Sequence, residues 1–159
     1  MLGRAYRAPI NIGSTTAQID IFELLTSSSV PVAVCGFHLG QTSEVGDAQE
    51  EQLTLVLKYV TGSPTTGSGG GTSTPRPMLP SDVASVVTLK TGNTTKLTGG
   101  TSVELARYAW NVRQDLPITW IPEMWQLLGV STRLVLELVT TPADAINGIV
   151  GSIELVELG

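Results

Sequence analysis

The chain has little to do redox or metal chemistry with: one cysteine, Cys35, and one histidine, His38, in 159 residues. A single cysteine excludes an intrachain disulfide framework. One His and one Cys fall short of the three or four nitrogen and sulfur ligands that zinc takes. Beside Val34 and Phe37, Cys35 reads as a small buried hydrophobe. Charge is also scarce: charged residues are 14% of the chain, against roughly 25% in an average soluble domain. That scarcity suggests a surface partly covered by partners. The net charge is −5 and the pI about 4.7, which argues against a nucleic-acid binder, since that needs a basic footprint. No apolar run approaches the roughly 20 residues of a membrane-spanning helix. Met1-Leu2-Gly3-Arg4 leads straight into a patterned segment, so synthesis in a cytoplasm without a secretory signal is expected. Nor does any stretch carry the periodicity of a long amphipathic helix.

What is present is alternation. The length and 42% hydrophobic content fit one domain, residues 1–159, with a core of its own. The central stretch is Gly46–Pro80. It opens on an acidic turn, Gly46–Glu51, and continues as Gln52–Val60. There Leu53, Leu55, Leu57 and Tyr59 fall on one face and Gln52, Thr54 and Lys58 on the other, the period of a half-buried strand. It ends in a Gly/Ser/Thr/Pro-rich run over 61–80, too poor in apolar residues for a core, which reads as a long flexible arm. Excising Gly62–Thr74 is therefore expected to leave the domain folded.

Further strands are expected at Tyr6–Ile12, with Pro9 placing it at an edge or an irregularity, and at Gln18–Leu25, where β-branched residues favour strand over a helical turn. Val32–Leu39 reads as a central strand, with Ala33, Cys35, Phe37 and Leu39 on one face and Val32, Val34, Gly36 and His38 on the other. Val83–Leu89 is expected to run on to Thr91-Gly92-Asn93, and Thr94–Leu97 to be a short connecting strand. Ser102–Val112 changes face near Arg107, which predicts a bulge. Leu116–Trp120, Leu134–Leu138 and Ile149–Leu158 complete the set, and Met124–Val130 suits a strand or one helical turn. Roughly eight to ten short strands with closely spaced turns predict an all-β, antiparallel sandwich with one long Gly/Ser-rich loop.

Chemical motifs are sparse. No Gly-x-Ser-x-Gly elbow accompanies His38. Gly67–Gly71 lacks the Gly-Lys-Ser/Thr ending of a phosphate loop, and no helix is expected after it. Glu44, Asp47, Glu50 and Glu51 do not match the spacing of a twelve-residue calcium loop. Asp144 reads as a turn former, while Glu104, Glu123 and Glu137 qualify as glycosidase carboxylates by residue type only. Asn93-Thr94-Thr95 matches the glycosylation pattern but lacks a secretory context. Trp110, Trp120 and Trp125 are close in sequence, and each is either a binding anchor or a core residue. Without basic neighbours they make no stacking platform for single-stranded nucleic acid.

Several stretches, in this order, carry a resemblance. They are Leu39–Glu51, the Gly/Ser-rich loop with Thr74-Pro75-Arg76-Pro77, Asn111-Val112-Arg113, the Trp120-Ile121-Pro122-Glu123 corner, and Pro142-Ala143-Asp144 before Gly151–Gly159. On them the chain resembles bacteriophage virion proteins of the capsid decoration, or cement, type. The resemblance implies a jelly-roll-like β-sandwich, often a homotrimer, on the outer capsid surface of the virion. Such a subunit bridges neighbouring copies of the major capsid protein. It implies no enzyme activity, cofactor, metal, small-molecule substrate, nucleic acid or membrane. The residues expected at the interface are Gly69, Gly70, Gly71, Pro75, Arg76, Pro77, Trp120 and Trp125. The alternative is a carbohydrate- or receptor-binding sandwich of a tail or head fibre, using the tryptophans. A hydrolase on the same frame is a third reading.

Overall fold

The computed structural model describes residues 3–42 and 51–159, so Glu44, Asp47, Glu50 and most of the expected acidic turn lie outside the described residues. The strands are β1 (Arg4–Ile12), β2 (Asp20–Leu25), β3 (Val32–Gln41), β4 (Gln52–Thr61), β5 (Gly71–Ser73), β6 (Arg76–Pro77), β7 (Thr88–Asn93), β8 (Thr101–Asn111), β9 (Leu116–Thr119), β10 (Gln126–Leu128), β11 (Arg133–Leu138) and β12 (Ile149–Glu157). The only helical element among the described residues is a 3-10 turn at Pro122–Met124.

Two antiparallel sheets pack face to face. The first runs β6-β1-β12-β3, with β9 and β10 end to end along the far edge of β3. The second runs β5-β7-β2-β11-β4-β8. Alternation supplies the apolar layer between them: Tyr6, Ala8, Ile10 and Ile12 from β1, Leu53, Leu55 and Leu57 from β4, Leu134, Leu136 and Leu138 from β11, and Ile149, Ile153 and Leu155 from β12. Phe37 ties the layers together, meeting Phe22 of the second sheet edge-on at 5.8 Å.

Three single-residue irregularities redirect side chains. In β3 the pairing with β12 passes from Gly36↔Glu154 to Val34↔Leu155, leaving Cys35 as an extra residue. The expected faces therefore change. Val32 and Val34 join Phe37 and Leu39 in the core, and Cys35 is only half-buried rather than a core hydrophobe. In β8 the pairs Leu57↔Ala106 and Lys58↔Glu104 leave Leu105 unpaired, a bulge two residues from where the face change at Arg107 predicts one. In β2, Leu136↔Phe22 and Glu137↔Asp20 skip Ile21.

Two expected strands differ. Residues 83–87 are not strand, and β7 begins only at Thr88. The reason lies in the competing acceptors: the Val86 N–H donates to Glu157 Oε1 at 2.9 Å, the Val87 N–H to Ser85 Oγ, and the Val83 carbonyl accepts from the Tyr6 hydroxyl. Thr94–Leu97 is also not strand; Thr95 and Thr98 instead make isolated bridges to Ser68 and Thr65.

The Gly-rich run departs most from its reading as an arm. Residues 62–70 lie antiparallel to 94–98 through those two bridges, β5 then pairs with β7, and β6 pairs with β1 at Tyr6 and Arg7. Because β5 is in one sheet and β6 in the other, Thr74-Pro75 crosses between the layers and closes that side of the sandwich, with Pro75 buried. Pro9 lies beyond the residues of β1 that pair with β6, where a missing N–H costs no ladder bond.

Candidate interaction surface

The side opposite the β5–β6 crossing has no such closure among the described residues. There β8 is the edge strand of one sheet and β9 and β10 lie at the edge of the other, and Phe37 of β3 meets Tyr108 of β8 edge-to-face at 5.7 Å. Tyr108 and Trp120 pack on the core from this side while staying partly accessible. Trp120 meets Phe37 edge-on at 6.0 Å, and its carbonyl accepts the Trp125 indole N–H at 3.1 Å. β9 ends at Thr119, and Pro122 begins the 3-10 turn beyond it.

Beyond that corner, apolar side chains face solvent. Ile121 is 64% exposed, Met124 59% and Leu127 73%. Leu127 projects outward because its strand neighbour Leu128 takes the buried position. Isolated exposed leucines are ordinary, but a run of large apolar residues beside an open pair of sheet edges has the makings of a contact surface. A second apolar stretch, with Met78, Leu79, Val83 and Val86 exposed, follows β6.

The residues expected at an interface divide among these regions. Trp120 and Trp125 form the base of the 121–127 rim, half-buried rather than projecting. Arg76 is exposed and Pro77 partly so, directly before Met78. Pro75 is buried. Gly69, Gly70 and Gly71 lie against β7, where a Cβ on Gly70 would stand 2.2 Å from the Thr91 carbonyl oxygen. With Asn11–Thr15, Ile19, Thr91, Gly92 and Thr94 they border a cavity of about 270 Å³. Trp110 is a core residue whose indole N–H reaches the Gln114 carbonyl at 2.8 Å.

The structure brings none of the carboxylates considered for catalysis together. Glu104 forms a fork with Arg107 on the exposed β8, at 2.6 and 2.9 Å. Glu123 is exposed in the 3-10 turn. Glu137 lies between Lys58 and Lys96. His38 stands 3.5 Å from Asp115. The bulge at Cys35 overturns the expectation that it and His38 point to opposite faces: both border one depression with Arg7 and Glu154. Burial and the Glu154 charge push the Cys35 thiol upward, away from the thiolate form. Among the described residues no group of three or more His, Cys, Asp and Glu is placed to hold a metal ion.

Sequence reading missed a second feature, a polar layer on the face of the second sheet turned away from the main core. Glu23 Oε1 accepts from Arg133 Nε at 3.0 Å. Its Oε2 accepts from the Gly67 N–H at 3.0 Å and from Asn93 Nδ2 at 3.2 Å. Arg133 also donates to Thr66, and the Lys90 ammonium donates to the Gly67 carbonyl. Asp20 Oδ2 accepts the Leu97 N–H at 2.7 Å. The Gly-rich segment is thus the lid of this layer, and a small apolar cluster of Val60, Leu97 and Val135 lies there too. Gly67 is required by the close approach: a Cβ there would fall 2.6 Å from Asn93 Nδ2. The available signal was the pair Asp20 and Glu23 inside the otherwise apolar run DIFELL, since charges in a buried strand need partners.

Compared with protein-family models, curated proteins and solved structures, the chain finds no match in any of the three.

Proposed function

We propose that this chain is a non-enzymatic structural subunit of a phage virion that binds the outside of the capsid and stabilises it by bridging neighbouring capsid subunits. The observation carrying the proposal is the exposed apolar rim of Ile121, Met124 and Leu127 beside two sheet edges that no further strand covers among the described residues. Burying a rim of this kind at each of many repeated sites adds stability in proportion to copy number, so a modest interface per subunit suffices. The strand orders β1-β12-β3-β9 and β2-β11-β4-β8 support a jelly-roll reading of the sandwich, an architecture that viral capsid and lectin domains share. Fold alone does not assign function. The rim and the sequence resemblance are what favour the virion reading, with a homotrimer as the assembly.

The test is addition of the purified protein to phage heads that lack it, followed by heating. Saturable binding with a raised disruption temperature, lost in Leu127→Asp, is expected. A folded protein that neither binds heads nor changes their heat resistance overturns the proposal. Binding to glycans that falls in Trp125→Ala would favour a fibre receptor domain instead.

A further inference from the structure

Asp20 and Asn93 occupy directly paired positions on β2 and β7, so their side chains lie beside one another. Both residues are 1% exposed. Each keeps one buried oxygen, Asp20 Oδ1 and Asn93 Oδ1, with no hydrogen-bond partner among the described residues. Buried polar oxygens are rarely left so, and one hydrogen shared between these two acceptors on paired residues would satisfy both. Asn93 cannot supply it by turning its amide over, because its Nδ2 already donates to Glu23 Oε2 and an oxygen there would face a carboxylate.

We propose that Asp20 is held as the neutral acid, its Oδ1 proton donated to Asn93 Oδ1, and that this proton latches the 62–70 and 94–98 segments together over the second sheet. The latch is a continuous chain of bonds. Leu97 of one segment donates to Asp20, Asp20 to Asn93, Asn93 to Glu23, and Glu23 accepts from Gly67 of the other segment. Ionising Asp20 removes the proton that the central bond needs and adds a negative charge near Glu23 and Glu137. Lys58 is an opposing cation already engaged with Glu137, and Lys96, next to Leu97, is engaged with the same carboxylate. Burial and those carboxylates push the Asp20 carboxyl up from 3.8 to about 6, against the lowering effect of the Leu97 N–H and Lys58.

The sign follows from proton binding. Between pH 3.8 and about 6 the folded chain holds a proton on Asp20 that the unfolded chain has lost. Stability from this group is therefore complete at acid pH and falls as the pH rises through that window. The full fall is roughly a hundredfold in the folding equilibrium constant, about tenfold for each pH unit that the window spans. The latch is closed in acid and loosened at neutral pH, and it is independent of what the outer rim binds.

The decisive measurement is the carboxyl carbon NMR titration of Asp20 in the intact protein, with amide exchange of Gly67 and Leu97 followed over the same range and corrected for the intrinsic rate. A midpoint near 6 is expected, with protection of the Gly67 amide falling through it while that of Leu97, which bonds the Asp20 carboxyl directly, does not. Asp20→Asn, whose amide can donate to Asn93 and still accept from Leu97, should remove the pH dependence of the Gly67 protection. A midpoint at or below 3.8 overturns the proposal, since a bound water would then be satisfying both oxygens. So does a midpoint that moves when sodium is replaced by N-methylglucamine at constant ionic strength, which would place a cation between them. Gly67 protection that stays flat while Asp20 titrates near 6 rules out the latch.

Discussion

Arg133 Nε lies 3.0 Å from Glu23 Oε1, with the two side chains only 12% and 2% exposed, on the sheet face that the Gly-rich segment covers. Removing one member of such a pair strands the other charge in a poorly solvated site. Arg133→Met is expected to cost about 3–5 kcal/mol, read from the urea midpoint. Arg133→Met combined with Glu23→Gln should recover much of that loss. A single variant within about 0.5 kcal/mol of the parent would mean that water reaches Glu23.

Glu137 predicts an acid limb. Burial alone would raise its carboxyl, but hydrogen bonds and charge from Lys58 and Lys96 hold it below its ordinary 4.5. A lowered carboxyl contributes stability that is present above 4.5 and lost as the pH falls through the folded value. Thermal midpoints of Glu137→Gln should accordingly depend less steeply on pH below 4.5 than those of the parent.

Gly70 and Gly13 make a paired test of the covering segment. A Cβ on Gly70 would sit 2.2 Å from the Thr91 carbonyl oxygen, while one on Gly13 meets nothing within 4 Å. Gly70→Ala is expected to lose about 1–3 kcal/mol through overpacking against backbone. Gly13→Ala should be neutral to within about 0.5 kcal/mol. Equal thermal midpoints for the two variants would show that the segment yields without cost.

Excising Gly62–Thr74 tests more than the tip of a loop. The deletion removes Gly67 and Thr66 as partners of Glu23 and Arg133 and takes away β5 and its pairing with β7. Marked destabilisation is expected, with rapid exchange of the β2 and β7 amides, contrary to what the composition of the segment implies. A deletion variant as stable as the parent would return the segment to the status of a dispensable arm.

At the rim the expectation is the reverse. Leu127 is 73% exposed, so Leu127→Asp should change folding stability by no more than about 0.5 kcal/mol while weakening the proposed attachment to heads. Loss of both properties together would mean that Leu127 packs more closely than its exposure indicates.

The strand content was legible because side-chain alternation is a local property. Leu53-Leu55-Leu57, Leu134-Leu136-Leu138 and the β1 series declare both their strands and their inner faces without reference to anything distant. The break in β8 was legible for the same reason, as a change of phase near Arg107. The tryptophans were half legible. Their clustering left each as an anchor or a core residue, and the placing of Trp120 depends on Phe37, more than eighty residues earlier.

The sequence by itself determined an all-β chain, its main inward faces and a composition poor in charge. Only the tertiary structure decided that Cys35 is an extra residue in its ladder, that 83–87 gives its N–H groups to Glu157 and Ser85, and that Gly62–Pro77 is a lid and a closure. A one-residue slip in pairing turns every later side chain over, and no local pattern records it until the partner strand is in place. Likewise, a segment with no apolar residues of its own acquires a fixed course from the carboxylates beneath it. Asp20 and Glu23 are brought under Leu97 and Gly67 only when the second sheet has formed.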